Sequence, residues 1–170
     1  MPTTASASAI PAAIPATTAA LPPAPGPPAG PPPDLTSLAP LVGAWRVAGD
    51  AEGTVRYEWV PGGYFLLQYL DLVKDGHVIR GLEVIGHLHG FGEAPSADIR
   101  SRVYSYADGM TLDYTYELRG DTLTIWGGSR GSDHRFEGRL SADGATLTGG
   151  WRWPGGGYSV VSTRVQESGV

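Results

Sequence analysis

The chain has 170 residues, and its 12 Lys and Arg residues against 17 Asp and Glu residues give a formal net charge of −5. The basic residues are scattered, so the composition argues against a nucleic-acid-binding protein. The absence of cysteine excludes disulfides, thiolate metal sites and a cysteine nucleophile. No apolar stretch approaches the roughly 18–20 residues that cross a bilayer, so no membrane partner is expected.

Residues 1–36 are rich in proline and alanine, and the first 40 residues contain no basic or aromatic residue and a single acid, Asp34. Proline fixes φ and removes a backbone donor, so neither a helix nor a sheet is expected to extend through this segment. With few large side chains to bury, it is predicted to be a disordered Pro/Ala-rich tail. A secretory signal begins with basic residues. The first basic residue here is Arg46, so a cytoplasmic protein is expected.

Beyond the tail, the sequence is a series of short alternating or apolar segments separated by turns. The segment TVRYEWV at 54–60 alternates polar and apolar residues, as a strand with one buried face does. A long apolar segment at 64–73 follows, and Asp75-Gly76 after it is a strong hairpin signal. Further strands are predicted at 78–88, 99–106, 111–118, 122–127, 133–141, 145–153 and 158–165.

With a segment around Trp45, these make about ten short strands, and no helical period of useful length is present. Tight hairpins between consecutive strands favour an up-and-down arrangement, and closure removes the exposed edges that many strands create. The sequence therefore predicts an all-β fold, an antiparallel barrel of about ten strands over 37–166, followed by a C-terminal tail at 167–170. Such a barrel can enclose a cavity for one small ligand.

The first predicted strand carries a motif that resembles a known family. In LVGAWRVAG, the Gly43-x-Trp45 pair resembles the opening of lipocalin-like (calycin) barrels. In such folds an arginine near the end of the last strand often lies against this tryptophan, and Arg164 has that position in the sequence. The resemblance implies that these three residues are structural and close one end of the barrel.

Three longer segments extend the resemblance over about 41–165. The order of YEWVPGGYFLLQ, GLEVIG and FEGRLSADGATLTGGW is similar to a bacterial lipocalin-like family of unknown function. Its distant relatives with a described function are the nitrobindins, ten-stranded barrels that bind haem through a histidine late in the chain. The last histidine here is His134, so the last predicted strand has no histidine to hold haem. No cofactor is therefore expected, and haem is kept as an alternative.

The stretch GHLHG contains two of the 4 histidines, His87 and His89. Side chains two residues apart on a strand point to the same face, so the pair could hold a divalent metal. A metal usually needs three or more ligands, and Glu83, which shares their parity, or His134 could complete the set. The flanking glycines instead favour the end of a strand, with both histidines at the barrel rim.

Five residues are candidates for contact with a ligand inside the barrel. A buried polar group needs a hydrogen-bond partner. Each candidate is therefore either bonded within the packed core or able to bond a ligand. Tyrosine suits such a lumen, since it combines an apolar ring with one hydroxyl. The candidates are Gln68, Tyr104, Tyr114, Tyr116 and His134.

These observations lead to an expected function and to alternatives. The first expectation is the binding of a small, mostly apolar ligand in the barrel lumen. An alternative is a small enzyme of the isomerase or cyclase type, in which His134 is catalytic and transfers a proton. A metal or haem protein using His87 and His89, and a scaffold that docks partners through the tail, are further alternatives. Pairing into a homodimer is left open.

Overall fold

The computed structural model describes residues 30–166, so the predicted tail at 1–29 and the C-terminal residues 167–170 lie outside the described residues. A short helix and a 3₁₀ turn precede ten strands. These elements are α1 (Pro33–Thr36), the 3₁₀ turn (Ala39–Leu41), β1 (Gly43–Gly49), β2 (Glu52–Trp59), β3 (Phe65–Lys74), β4 (His77–Gly86), β5 (Ile99–Ser105), β6 (Thr111–Arg119), β7 (Thr122–Gly127), β8 (Arg135–Leu140), β9 (Thr146–Trp153) and β10 (Gly156–Arg164).

The ten strands form one closed antiparallel barrel. Each strand pairs with the next along the chain, and β10 pairs with β1 to complete the ring. The predicted all-β, up-and-down barrel is therefore confirmed, and the ends of the predicted strands agree with the structure to within two residues. In the described part of the chain, no helix is long and apolar enough to span a membrane.

The turn between β3 and β4 fixes which side chains meet across these two long strands. Asp75 and Gly76 have φ values of 50° and 76°, the left-handed conformation that a two-residue hairpin turn requires. The turn pairs Lys74 with His77, and counting back along both strands places Gln68 directly opposite Glu83. Both side chains point into the barrel, because the register is continuous and the side chains alternate.

One end of the barrel is closed by the segment that precedes β1. Leu35 in α1, Leu38 and Leu41 are each 0% exposed, and they pack against the barrel core. The prediction that the tail is disordered through residue 36 is thus wrong at its end, where Pro33–Thr36 is helical. Proline is tolerated there because a helix's first N–H groups have no intrahelical partner, and burial of Leu35 stabilises the turn.

Trp45 and Arg164 tie this closing segment to the first and last strands. The Trp45 indole N–H donates to the carbonyl oxygen of Leu41 at 2.8 Å, and the Arg164 guanidinium carbon lies 4.2 Å from the centre of an indole ring. Arg164 also donates to the carbonyl oxygens of Val42 at 2.5 Å and Pro40 at 2.6 Å. Three carbonyl oxygens of the closing segment thus receive donors, and the closed end is held by one side chain from each terminal strand.

Gly43 is required at this point for two reasons. Its φ of +119° lies in a region that residues with a Cβ rarely adopt. A Cβ there would also lie 2.8 Å from Arg164 Nη1. The glycine two residues before Trp45 in the Gly-x-Trp motif therefore leaves the space through which the arginine reaches the closing segment.

Candidate functional site

The barrel encloses a cavity of about 380 Å³ that opens at the end opposite α1. This opening, here called the mouth, is formed by the ends of the strands around the β3–β4 turn and by the loop before β6. Val78, Met110 and Trp153 line the mouth and are exposed. The volume lies within the range of roughly 300–1,000 Å³ that is usual for small-molecule sites. The lumen is therefore an accessible pocket with a closed bottom.

The two sides of the cavity differ in chemistry. The wall made by β1 and by β7 to β10 is mostly apolar or aromatic, with side chains that alternate inward along each strand. Its lining residues are Trp45, Val47, Leu123, Ile125, Phe136, Leu147, Trp151, Tyr158 and Val160. A molecule with one apolar face would bury that face against this wall and gain the free energy of desolvation.

The opposite wall carries a row of polar side chains, one from each strand from β2 to β6. This row, called the polar belt below, consists of Tyr57, Gln68, Glu83, Ser101 and Tyr116, all buried. Tyr57 pairs with Gln68 across β2 and β3, and Gln68 with Glu83 across β3 and β4. Directly opposite side chains in such pairs have Cβ atoms roughly 4.5–5.5 Å apart. The belt is thus a polar strip on one wall of a mostly apolar lumen.

Glu83 is the centre of the belt's hydrogen-bond network. Ser101 Oγ donates to one carboxylate oxygen at 2.5 Å, and the Tyr116 hydroxyl donates to the other at 2.9 Å. Among the ion pairs of the described residues, none includes Glu83. The carboxyl group is therefore hydrogen-bonded but has no cationic partner in the fold.

The electrostatics of the belt follow from this burial. Burial raises the pKa of Glu83 from 4.5 to about 7, although the hydrogen bonds from Ser101 and Tyr116 act in the opposite direction. Burial and the nearby Glu83 charge also raise the pKa of Tyr114 to about 12 and raise that of Tyr57. At neutral pH the tyrosines are therefore protonated, whereas the Glu83 carboxyl group titrates in this range.

Gln68 has one polar atom without a partner. Its amide Nε2 donates to the Tyr57 hydroxyl, whereas its Oε1 is buried and accepts no hydrogen bond from the described residues. An unpaired buried acceptor costs about 1–3 kcal/mol. Gln68 also lines the cavity, so a bound molecule that displaces the amide slightly could satisfy this acceptor.

The five candidates for ligand contact lie in different places. Gln68, Tyr114, Tyr116 and His134 all line the cavity, but His134 does so at the mouth, just before β8, where it is exposed. Its ring centre is 5.1 Å from that of Trp151 and 6.0 Å from that of Trp153, so it forms part of an aromatic rim.

Tyr104 is a correction to the sequence-based expectation. Its side chain is 46% exposed on the outer face, and it does not line the cavity. The neighbouring Val103 and Ser105 take the inward positions of β5, and alternation then directs Tyr104 outward.

Neither histidine of GHLHG lines the cavity, and only His87 contacts the closed end. His87 Nδ1 lies 2.5 Å from the Ser96 carbonyl oxygen, and its Nε2 lies 3.1 Å from the Asp34 carboxylate in α1. His89 is exposed in the loop after β4, and His134 is at the opposite end of the barrel. Within 30–166, no group of three or more His, Asp or Glu residues could hold a metal ion. His87 thus links the closing helix to the barrel.

The main functional group that sequence reasoning missed is Glu83 as a lumen residue. From the sequence it is expected only as a metal ligand with His87 and His89. The signal was nevertheless present, because Gln68 interrupts an apolar strand and the Asp75-Gly76 hairpin pairs it with Glu83. Ser101, which completes the network, gave no comparable signal in IRSRVYSY.

Comparison with known proteins adds no function to this geometry. No protein-family model matches the chain, and no curated protein is similar to it in sequence.

Proposed function

We propose that this protein binds a small, mostly apolar molecule in the barrel lumen, with a polar end of that molecule at the belt. The single observation that carries the proposal is the unpaired Gln68 Oε1, buried in a cavity of about 380 Å³ that is open to solvent at the mouth. A ligand with an N–H or O–H group would satisfy this acceptor, while its body would lie against the apolar wall. Apolar packing and a hydrogen bond would then both contribute to the affinity.

The resemblance of the Gly43-x-Trp45 motif and Arg164 to lipocalin-like barrels supports the same function. In that reading the closed end is structural, and the partner is a small molecule that enters through the mouth. The basic side chains that line the cavity, Arg80 and His134, both lie at its mouth, so an anionic ligand is not favoured in the inner lumen. Binding in the cytoplasm remains part of the proposal.

A variant that fills the lumen tests the proposal directly. Leu70 points inward from the middle of β3 and lines the cavity. We expect Leu70→Trp to weaken the binding of N-phenyl-1-naphthylamine, a neutral apolar fluorophore, by at least about tenfold, because the indole would occupy the ligand's space. The measurement is a fluorescence titration with the wild-type protein and the variant.

The matched control is Val161→Trp, which adds the same side chain to an exposed position on the outer face of β10. This variant is expected to bind the fluorophore as the wild type does. If both variants bind equally well, or if the wild type does not bind at one molecule per chain, the lumen is not the binding site.

The second candidate function is proton transfer within the same cavity. The observation that favours it is Glu83, a buried carboxyl group with a pKa raised to about 7, which suits a general acid or base at neutral pH. This proposal replaces His134, which lies at the mouth, with Glu83 as the group that moves the proton. Turnover that is lost in Glu83→Gln distinguishes the enzyme from a binding protein.

A further inference from the structure

We infer that the polar belt recognises an organic ammonium group, so that the ligand of the proposed function is an apolar amine bound as its cation. This inference rests on the proposed function and specifies the chemical class of the ligand. Two belt residues carry it, Glu83 and Gln68, because both line the cavity, both have acceptor oxygens, and neither has a cationic partner among the described residues.

The first step concerns the charge of Glu83. An ionised carboxylate in an apolar interior is costly unless an opposite charge accompanies it. Ser101 and Tyr116 donate hydrogen bonds to the carboxylate, but they bring no positive charge. A bound ammonium group would supply the missing charge at the place where the fold already holds the carboxylate in position.

The second step is that no basic side chain of the barrel takes this role. The other polar groups on the neighbouring inward positions are neutral, namely Tyr57, Gln68, Ser101, Tyr114 and Tyr116, and Tyr158 faces them from β10. Lys74 has the same parity as Gln68 but lies six residues further along β3, so their Cα atoms are roughly 20 Å apart. The Lys74 ammonium group pairs with Asp75 and lies 5.2 Å from the centre of the Tyr158 ring. Glu83 is therefore the charged group of the inner cavity.

The third step is the match in hydrogen bonding. An ammonium group has three N–H donors and no acceptor. Opposite it would lie the Glu83 carboxylate and the unpaired Gln68 Oε1, which are neighbours across β3 and β4. A ligand carboxylate would meet two acceptors and a like charge here, so the same geometry rejects anions.

The aromatic side chains of the lumen support a cation with an apolar body. Tyr114 and Trp151 both line the cavity, with ring centres 5.5 Å apart, and ring faces attract positive charge as well as apolar groups. At the mouth, Asp108 is part of the lining, and the chain carries a net charge of −5. Both features favour the approach of a cation.

The test compares three small molecules with the same phenyl body and different polar ends: 2-phenylethylamine, 2-phenylethanol and 3-phenylpropanoate. Isothermal titration calorimetry is carried out at pH 8, where an alkylamine is protonated, since such groups titrate near about 10, and which lies above the pKa of about 7 of Glu83. We expect the amine to bind the wild-type protein at least about tenfold more tightly than the alcohol, with the carboxylate weakest, because hydrogen bonds to charged groups are the stronger ones.

Glu83→Gln removes the charge and keeps the shape of the side chain, so it is expected to remove the preference for the amine over the alcohol. The control is Glu52→Gln, which makes the same change of charge at an exposed position of β2 and should keep the preference.

The ranking on the wild-type protein is decisive even if a variant folds poorly. An alcohol that binds as tightly as the amine, or an amine preference that survives Glu83→Gln, overturns the inference. So does a wild-type protein that binds N-phenyl-1-naphthylamine in the lumen but none of the three probes. In each of these cases lumen binding of the fluorophore leaves the proposed function standing. If the fluorophore also fails to bind, the proposed function itself is wrong.

Discussion

Replacing Trp45 with alanine is expected to lower the free energy of unfolding by about 3–5 kcal/mol, the range for large-to-small changes of buried aromatic residues. Trp45 is 1% exposed and lies between the cavity and the closing segment. Alanine would leave a void, remove the donor to the Leu41 carbonyl oxygen, and remove the ring beneath Arg164. The three losses add at one site, because the same side chain joins the closing segment to β10.

Urea unfolding followed by far-ultraviolet circular dichroism measures this effect without relying on tryptophan fluorescence. Trp45→Phe is the matched control, since it keeps an aromatic ring and loses the indole N–H. We expect it to cost about 1–2 kcal/mol, the value of a buried hydrogen bond with an unpaired partner. A loss below about 1 kcal/mol for Trp45→Ala would contradict the role assigned to the closed end.

The second large effect is a dependence of stability on pH that Glu83 imposes. Burial raises the pKa of this carboxyl group from 4.5 to about 7 in the folded protein. The folded state therefore holds the proton more tightly than the unfolded state does. The stabilisation by the protonated group is fully present below pH 4.5 and is lost as the pH rises through 7. Its full size is up to about 3 kcal/mol.

Glu83→Gln isolates this contribution, because glutamine keeps the shape and does not titrate. Between pH 4 and pH 8, we expect the stability of the variant relative to the wild type to rise by up to about 3 kcal/mol, as measured by urea unfolding at each pH. Glu52→Gln, at an exposed position, is expected to show a nearly constant difference over the same range. A flat difference for Glu83→Gln would show that the carboxyl group is not buried as described.

Much of the fold could be predicted because strand alternation and turn residues are local signals. TVRYEWV shows its inward face by its own pattern, and Val55, Tyr57 and Trp59 do point to the interior side of β2. Asp75-Gly76 marks its hairpin by its backbone preference alone. These signals depend on neighbouring residues, so they survive without knowledge of the rest of the chain.

Other features depend on contacts between distant parts of the chain. Leu82 and Val84 flank Glu83, so hydrophobicity alone predicts that Leu82 and Val84 face the lumen and that Glu83 faces outward. Tyr104 lies in a segment where both faces carry apolar residues, so its direction is decided by pairing with β4 and β6. The position of α1 depends on the burial of Leu35 at the end of the barrel. No local sequence pattern reveals this contact.

The polar belt connects these structural results to function. The strands β2 to β6 each bring one buried polar side chain to the interior of the barrel, and the closed end keeps these side chains away from bulk solvent. A molecule that enters at the mouth would meet the apolar wall on one side and acceptor oxygens on the other. Affinity would come from the wall, and selection among polar ends would come from Glu83 and Gln68.

The most direct measurement of lumen binding is nuclear magnetic resonance of methyl-labelled protein saturated with N-phenyl-1-naphthylamine. We expect intermolecular nuclear Overhauser effects from the aromatic protons of the fluorophore to the inward-facing methyl groups of Val55, Ile125 and Leu147, and none to the outward-facing Val161. Contacts confined to Val161 or to other outer-face methyl groups would contradict the account, because they would place the apolar ligand outside the barrel.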